Sequence, residues 1–194
     1  MSRSGCREAS AGGKFRMSAA DAQLAVLAEA IEVERKGILF YTEAADKASS
    51  PKARDVLLGL ADDERYHEKV LEEQRGAIQS SGGFDVAAAE QAAAYAENRP
   101  RPSIIPTGEG KEQAIARASN DELRALDVGM ETERRSFEFY RKAADEVQEP
   151  AIKRLYQSLA QWENTHFEAL QEMHDFLADP EGWFLHQERP IMEG

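Results

Sequence analysis

The fold is decided by the stretch LADDERYHEKVL at residues 60–71, because a close copy of it, LAQWENTHFEAL, occupies residues 159–170. Each copy contains one Glu-x-x-His motif, and the two motifs lie 99 positions apart. The match begins near residue 32 in the first copy and continues to its end without a gap. A repeat of this length predicts that the chain is built from two copies of one structural unit.

The residues that the two copies share include acids, histidines, aromatic residues and a proline. The most informative pairs are Glu34 with Glu133, Tyr41 with Tyr140, Pro51 with Pro150, Glu64 with Glu163, and His67 with His166. The positions that differ between the copies include two near the shared acids, where Trp162 corresponds to Asp63 and Ser136 corresponds to Gly37. We expect such differences to make the two halves of a shared site inequivalent.

Each copy predicts a hairpin of two helices. In the first copy, Ser18 with Asp21 forms a capping-box pattern, and helical periodicity continues to about Lys47. Pro51 suits the first turn of a second helix, which we expect to reach about Arg75. The connection between the two helices is only a few residues long, so they must lie antiparallel.

The second copy repeats this organisation. Ser119 with Glu122 forms its capping pattern, helical periodicity continues to about Val147, and Pro150 begins a helix that reaches about Leu177. Between the copies, the alanine-rich residues 86–96 predict one additional short helix.

The predicted fold class is all-α: a four-helix bundle with one long crossover between its second and third helices, built from a duplicated hairpin. Helices of about 27 residues are about 40 Å long, so the crossover must travel that distance. We expect a disordered tail over residues 1–17 and the bundle over residues 18–178. Within the bundle, the predicted segments are the first hairpin at 18–77, the crossover at 78–118 and the second hairpin at 119–178. Residues 179–194 are expected to pack on the bundle as a C-terminal tail.

Composition and charge exclude several classes of function. The formal net charge is −12, and such a surface repels nucleic-acid phosphates and anionic membranes, so we expect neither as a partner. The single cysteine, Cys6, excludes an internal disulfide framework and a four-cysteine metal site. No apolar run approaches the roughly 20 residues that span a bilayer. Residues 1–16 lack the apolar part of a secretory signal, so a soluble cytoplasmic protein is expected.

A glutamate interrupts the apolar stripe near the middle of each of the four long helices. Burying an ionised carboxylate in an apolar interior costs several kcal/mol unless a positive charge compensates it. The stripes contain no Lys or Arg for this purpose. Two divalent cations would neutralise four carboxylates, and two imidazoles would complete their coordination without adding charge.

The spacing of these residues fits a shared two-metal site. Residues at i and i+3 on a helix lie on one face, so the Glu and His of each Glu-x-x-His motif can reach a common ion. The predicted metal ligands are Glu34, Glu64, His67, Glu133, Glu163 and His166. Glu32 and Glu131 lie about 200° around the helix from the ligand stripe and are expected to face solvent.

Tyr41 and Tyr140 follow Glu34 and Glu133 by two helical turns and return to the same face. As functional residues, they would donate hydrogen bonds to ligand carboxylates or supply an electron. As structural residues, they would be large core side chains with a satisfied hydroxyl. The sequence leaves both interpretations open.

The chain resembles the ferritin-like superfamily and, within it, the rubrerythrin-like branch. The resemblance rests on AIEVERKGILFY at residues 30–41, DERYHE at 63–68 and Gly-Trp-Phe at 182–184, together with one Glu from each of two helices and Glu-x-x-His from each of the other two. It implies a di-iron protein without a rubredoxin domain. It also implies that Glu64 and Glu163 bridge both metals.

The same resemblance implies that Glu34 and His67 complete one iron and that Glu133 and His166 complete the other. Rubrerythrins proper have an additional acidic ligand one turn before the position of Glu133, where this chain has Met130. That departure brings the predicted site closer to the symmetric bacterioferritin pattern and weakens a peroxidase assignment.

Three hypotheses about function follow from such a site. The first is a non-haem oxidoreductase of rubrerythrin or ferroxidase type that oxidises Fe(II) and reduces O₂ or H₂O₂, with an unidentified external electron donor. The second is iron binding, storage or sensing without turnover, and the third is a helical bundle that has lost its metal. Iron is the expected cofactor, manganese is compatible with the same ligands, and a homo-oligomer, specifically a dimer, is expected.

Overall fold

The computed structural model describes residues 18–100, 119–179 and 182–183. Its secondary structure elements are α1 (Ala19–Lys47), α2 (Pro51–Ser81), α3 (Val86–Glu97), α4 (Asn120–Glu146) and α5 (Pro150–Ala178). No β-strand occurs within the described ranges, which confirms the all-helical prediction. The predicted tail at 1–17, most of the C-terminal tail and the crossover residues 101–118 lie outside these ranges.

The helix starts follow the capping signals in the sequence. At α1, the Ser18 side chain accepts from the Asp21 backbone N–H at 3.0 Å and the Asp21 carboxylate accepts from the Ser18 N–H, so the predicted capping box is formed. Pro51 and Pro150 both stand in the first turn of their helices, where a missing N–H costs nothing.

Two predicted details differ from the structure. Helix α2 extends to Ser81 rather than ending near Arg75, because its first strong stop signal is Gly82, which adopts the left-handed conformation with φ 78°. At α4, Ser119 caps the helix by accepting from the Glu122 N–H at 3.1 Å. The Glu122 carboxylate, however, accepts from the backbone N–H of Ser49 at 3.0 Å, so it ties α4 to the α1–α2 connection.

The two hairpins form the main helix pairs. α1 packs along α2, α4 packs along α5, and the pairs meet through contacts of α1 with α4 and of α2 with α5. The short helix α3 lies against α5 and α2. Within the described ranges, no helix is both long and apolar enough to cross a membrane.

Apolar residues form two clusters on either side of the predicted ligands. Along α1, Leu27 and Ile31 belong to one cluster and Tyr41 belongs to the other, with Glu34 between them. Along α2 the order is reversed, because Leu60 belongs to the second cluster and Leu71 to the first. The antiparallel hairpin therefore brings the acids of both helices to one level between two layers of apolar side chains.

The C-terminal residues that the structure describes also meet an apolar layer. The ring of Trp183 lies 5.5 Å from that of Phe176, in an edge-to-face arrangement, and joins the cluster that contains Tyr41. The contact places the Trp183 ring against this layer, while Phe184 and the rest of the predicted tail lie outside the described residues.

Candidate metal centre

The six predicted ligands are all buried at the same level of the helices. Their side chains come from α1, α2, α4 and α5, and none is more than 2 % exposed: Glu34, Glu64, His67, Glu133, Glu163 and His166. Each lies on the inward stripe because heptad-like spacing places it one or two turns from buried apolar neighbours. The structure therefore brings together every residue of the predicted ligand set.

One group of potential ligands surrounds the imidazole of His67. Its Nδ1 lies 3.3 Å from Glu34 Oε2, 3.0 Å from Glu64 Oε2 and 3.2 Å from Glu163 Oε1. These four residues offer ligand atoms that all lie within 4.8 Å of one another. Donor atoms so close together can share a single cation.

A second group surrounds the imidazole of His166. Its Nδ1 lies 3.1 Å from Glu64 Oε1, 3.6 Å from Glu133 Oε2 and 3.8 Å from Glu163 Oε2. Glu64 and Glu163 therefore belong to both groups, and each points one oxygen toward each histidine. This is the geometry that two bridging carboxylates require.

Without a cation, the buried acids perturb one another. Burial and the charge of Glu64 raise the pKa of Glu34 to about 8. Burial and the same charge raise the pKa of Glu163 well above its ordinary value. Burial would also raise the pKa of Glu64, but the imidazoles of His166 and His67 lower it below its usual range. The carboxylates thus compete for the same positive charge.

The pKa values of the two imidazoles are also raised, in their case by the carboxylates around them. Burial alone would lower the pKa of His67, but the nearby carboxylates of Glu163 and Glu34 raise it well above its ordinary value. The charges of Glu64 and Glu133 raise the pKa of His166 in the same way. Protons on the imidazoles therefore supply part of the positive charge that the acids require.

The donor set fits divalent cations. Three buried atoms have no hydrogen-bond partner within the described part of the chain, although they lie close to other members of the set: Glu133 Oε2, Glu163 Oε1 and His166 Nδ1. Buried polar atoms are nearly always paired, so several that converge unpaired indicate a missing positive partner. Carboxylate and imidazole ligands together suit iron, manganese and zinc.

The two predicted tyrosines lie beside the ligands and cross between the hairpins. The hydroxyl of Tyr41, on α1, donates to Glu133 on α4, and the hydroxyl of Tyr140, on α4, donates to Glu34 on α1. Burial and the nearby carboxylate charges raise the pKa of both tyrosines well above its ordinary value, so both hydroxyls keep their protons. Each hydroxyl is satisfied by a carboxylate of the predicted ligand set, and this arrangement is compatible with both interpretations of the two tyrosines.

Three residues behind the histidines were not predicted as part of the site. Asp63 is 1 % exposed, and its Oδ2 lies 3.2 Å from His166 Nε2 and 3.3 Å from the indole nitrogen of Trp162. The guanidinium of Arg99 forms an ion pair with the same carboxylate. The break in the repeat at positions 63 and 162 pointed to this region, but Arg99 follows α3 outside any repeat and gave no signal.

The acids predicted to face solvent do so. Glu32 forms a surface ion pair with Lys36, and Glu131 pairs with Arg134 and Arg135. These guanidinium groups lower the pKa of Glu131 to about 2. Met130 is partly buried against the apolar cluster that contains Tyr41, so the position that would hold an additional acidic ligand is apolar here.

Comparison with known proteins agrees with this geometry. The family model described as Rubrerythrin matches residues 25–174, which contain all four long helices in large part and all six predicted ligands. No curated protein and no solved structure matches the chain. Because the family model covers more than half of its length, the chain belongs to the rubrerythrin family of ferritin-like di-iron proteins.

Proposed function

We propose that the protein is a non-haem di-iron oxidoreductase that oxidises Fe(II) and reduces O₂ or H₂O₂. The observation that carries this proposal is the position of Glu64 and Glu163, each with one carboxylate oxygen near His67 and the other near His166. In the proposed assignment, Glu34 with His67 completes one ion and Glu133 with His166 completes the other. The four long helices would form a ferritin-like bundle in which residues 78–118 are the crossover.

The residues around the centre have distinct tasks in this proposal. A bound pair of iron ions would supply two electrons together, which reduces dioxygen or peroxide without releasing one-electron products. Tyr41 and Tyr140 orient the terminal carboxylates, Glu133 and Glu34, by donating hydrogen bonds to them. The apolar clusters on both sides exclude bulk water, which strengthens every charge interaction at the centre.

The protein must also release protons when metal binds. The carboxyl of Glu34, whose pKa is about 8 in the metal-free centre, holds a proton at neutral pH and must release it to become a ligand. The imidazoles must likewise give up their extra proton, since a ligand nitrogen needs a free lone pair. Metal binding is therefore expected to release protons and to strengthen as the pH rises toward 8.

Stopped-flow oxidation of the Fe(II)-loaded protein tests the proposal. We expect about two iron ions per chain and an oxidation by O₂ or H₂O₂ that is faster than that of free Fe(II). Glu131→Ala is the matched control, because Glu131 is an exposed acid on α4 two residues from Glu133. Oxidation no faster than that of free Fe(II), with two ions bound, would leave iron binding without turnover as the function.

The comparison of O₂ with H₂O₂ separates the two oxidant classes. Met130 in place of an additional acidic ligand favours a symmetric centre of ferroxidase type over a peroxidase. Faster oxidation by O₂ would support that assignment, whereas a strong preference for H₂O₂ would contradict it. Sedimentation of the same samples would test the proposed homodimer.

A further inference from the structure

The two histidines of the centre have the same orientation toward the carboxylates but different surroundings behind them. Both point Nδ1 inward. The remote nitrogen of His166, Nε2, lies 3.2 Å from Asp63 Oδ2. The remote nitrogen of His67 is buried and has no hydrogen-bond partner among the residues that the structure describes. The two halves of the site therefore differ at one atom of each imidazole.

Asp63 is fixed in its position by two further residues. The indole N–H of Trp162 donates to Asp63 Oδ2 at 3.3 Å, and the Arg99 guanidinium pairs with Oδ1. Arg99 also lies over the Trp162 ring at 5.1 Å and donates to the Tyr95 hydroxyl at 2.9 Å. The acceptor for His166 is thus a buried carboxylate with its own compensating cation.

The cause of the asymmetry lies in the repeat. Position 162 corresponds to position 63, so an acid there would be the counterpart of Asp63 for His67. The residue present is Trp162, whose nitrogen can only donate and does so to Asp63. Its ring instead packs edge-to-face against the imidazole of His67, with centroids 4.5 Å apart.

This difference has a direct consequence for metal binding. An imidazole that gives Nδ1 to a cation keeps its proton on Nε2. An acceptor at Nε2 fixes that tautomer, orients the ring and makes the ligand nitrogen more basic. His166 has such an acceptor, whereas the described residues offer none to His67, whose buried N–H would stay unpaired when metal binds, which is unfavourable.

We propose that the position at His166 binds its cation more tightly, and therefore first, and that Asp63 is the positioning residue responsible. The inference rests on the proposed function only in requiring that both positions bind metal. The loss of the acceptor at one histidine makes a duplicated site into two unequal sites. Through its ion pair with Asp63, Arg99 connects the tighter site, at His166, to the segment that follows α3.

Titration of the metal-free protein with Co(II), followed by calorimetry and visible absorption, tests the proposal. We expect two binding steps whose dissociation constants differ by about 10- to 100-fold, the effect typical of losing a partner behind a ligand. His166→Ala should remove the tighter step, and His67→Ala should remove the weaker one. Equal affinities, or loss of the tighter step in His67→Ala, would overturn the inference.

Asp63→Asn isolates the positioning residue from the ligands. It should weaken the tighter step by about 10-fold or more and leave the weaker step unchanged. Asp62→Asn is the matched control, because it removes the adjacent acid, whose ion pair with Arg65 lies at the surface, and leaves the acceptor of His166 in place. If Asp63→Asn fails to fold by circular dichroism, the two histidine variants still decide the order of binding.

The results also separate this inference from the proposed function. Failure of both Co(II) and Fe(II) to bind the unmodified protein would refute the metal centre itself. Two ions that bind with equal affinity would refute only the asymmetry. Trp162→Phe adds an internal check, since it keeps a ring against His67, removes the donor to Asp63 and should weaken only the tighter step.

Discussion

The first hairpin, α1–α2, and the second, α4–α5, supply identical sets of predicted ligands but support them differently. Each contributes a Glu from its first helix and Glu-x-x-His from its second, at equivalent depth. Behind these ligands the copies diverge, as at Asp63 and Trp162. The contrast shows that the ligand positions can stay the same while the residues that orient them change.

A second difference lies two turns beyond the histidines. Gln74 on α2 is 1 % exposed and exchanges two hydrogen bonds of 3.0 Å with the backbone of Asp85, the cap of α3. Its counterpart on α5, Met173, is buried in an apolar cluster. The first hairpin therefore holds the start of α3 through a polar contact, whereas the second uses the same position only for packing.

The largest expected effect separates bridging from terminal carboxylates. Glu64→Ala and Glu163→Ala should each lose both ions, because each residue faces both histidines. Glu34→Ala and Glu133→Ala should each lose only one. Elemental analysis gives the number of ions per chain. Thermal unfolding gives the stabilisation of the folded protein by the metal, about 4 kcal/mol per occupied site when the free metal concentration is a thousand times its Kd.

Exposed acids on the same helices provide the controls for this experiment. Glu32→Ala and Glu131→Ala should keep both ions, because these residues form surface ion pairs. Retention of one ion in Glu64→Ala would show that each carboxylate serves a single metal. In that case the two hairpins would form two independent sites rather than one shared centre.

The tyrosines test whether each hairpin supports its own ion. Tyr41 donates to Glu133 of the other hairpin, and Tyr140 donates to Glu34. Tyr41→Phe should therefore weaken the ion at His166 by about 10-fold or more, and Tyr140→Phe should weaken the ion at His67. Co(II) titration of His67→Ala and His166→Ala backgrounds assigns each effect to one position.

Tyr156→Phe is the matched control for the tyrosine variants. Tyr156 is also buried, and its ring stacks on that of Tyr140 with centroids 6.2 Å apart. The structure describes no hydrogen bond from Tyr156 to a carboxylate of the predicted set. The substitution therefore changes packing near the centre and leaves those hydrogen bonds in place. If Tyr41→Phe weakened the position at His67 instead, the crossed support would be wrong.

Periodicity and the repeat were sufficient to predict the helices and to select the six residues that the structure brings together. The reason is that a buried acid in an apolar stripe is rare enough to stand out, and a second copy at the same offset makes chance improbable. Helix starts were predictable for a similar reason, since Ser18, Pro51 and Pro150 act on their immediate neighbours.

Contacts between distant segments could not be predicted from those patterns. The pairing of Tyr41 with Glu133 spans 92 positions and depends on how the hairpins meet. Arg99 reaches Asp63 from an irregular segment that has no periodicity to fix its position. Glu122 likewise matches a capping box, but a tertiary partner, Ser49, takes its carboxylate. Local sequence patterns determine where the helices begin and end, whereas contacts between distant side chains depend on how the helices pack.

Two single substitutions, each of which places the residue of one hairpin at the equivalent position of the other, test the polar contact of the first hairpin. Gln74→Met should cost about 1 kcal/mol, because it leaves two backbone groups of Asp85 without their partner at a partly solvated position. Met173→Gln should cost more, about 2 to 3 kcal/mol, because it buries an amide in an apolar cluster. Chemical denaturation measures both, and hydrogen exchange should report earlier opening of α3 only in Gln74→Met.

The smallest effect concerns the second break in the repeat, Gly37 against Ser136. A Cβ at Gly37 would lie 3.1 Å from Cγ of Glu64, whereas a Cβ at Gly76 would meet no described atom within 4 Å apart from the backbone of its own helix. Gly76→Ala should therefore stabilise α2 by about 0.5 to 1 kcal/mol through helix propensity alone. Gly37→Ala should lose most of that gain, because the Glu64 side chain must shift.

Denaturant unfolding of the metal-free variants compares the two glycines, with Gly59→Ala as a second open position on α2. Equal stabilisation at positions 37 and 76 would mean that Glu64 yields without cost, and the glycine would then have no role at the centre. A smaller gain at Gly37, joined to weaker binding of both ions, would show that this glycine leaves room for a bridging carboxylate. The second hairpin has Ser136 at the equivalent position and so accommodates a Cβ there. In that case Glu163 would be packed differently from Glu64.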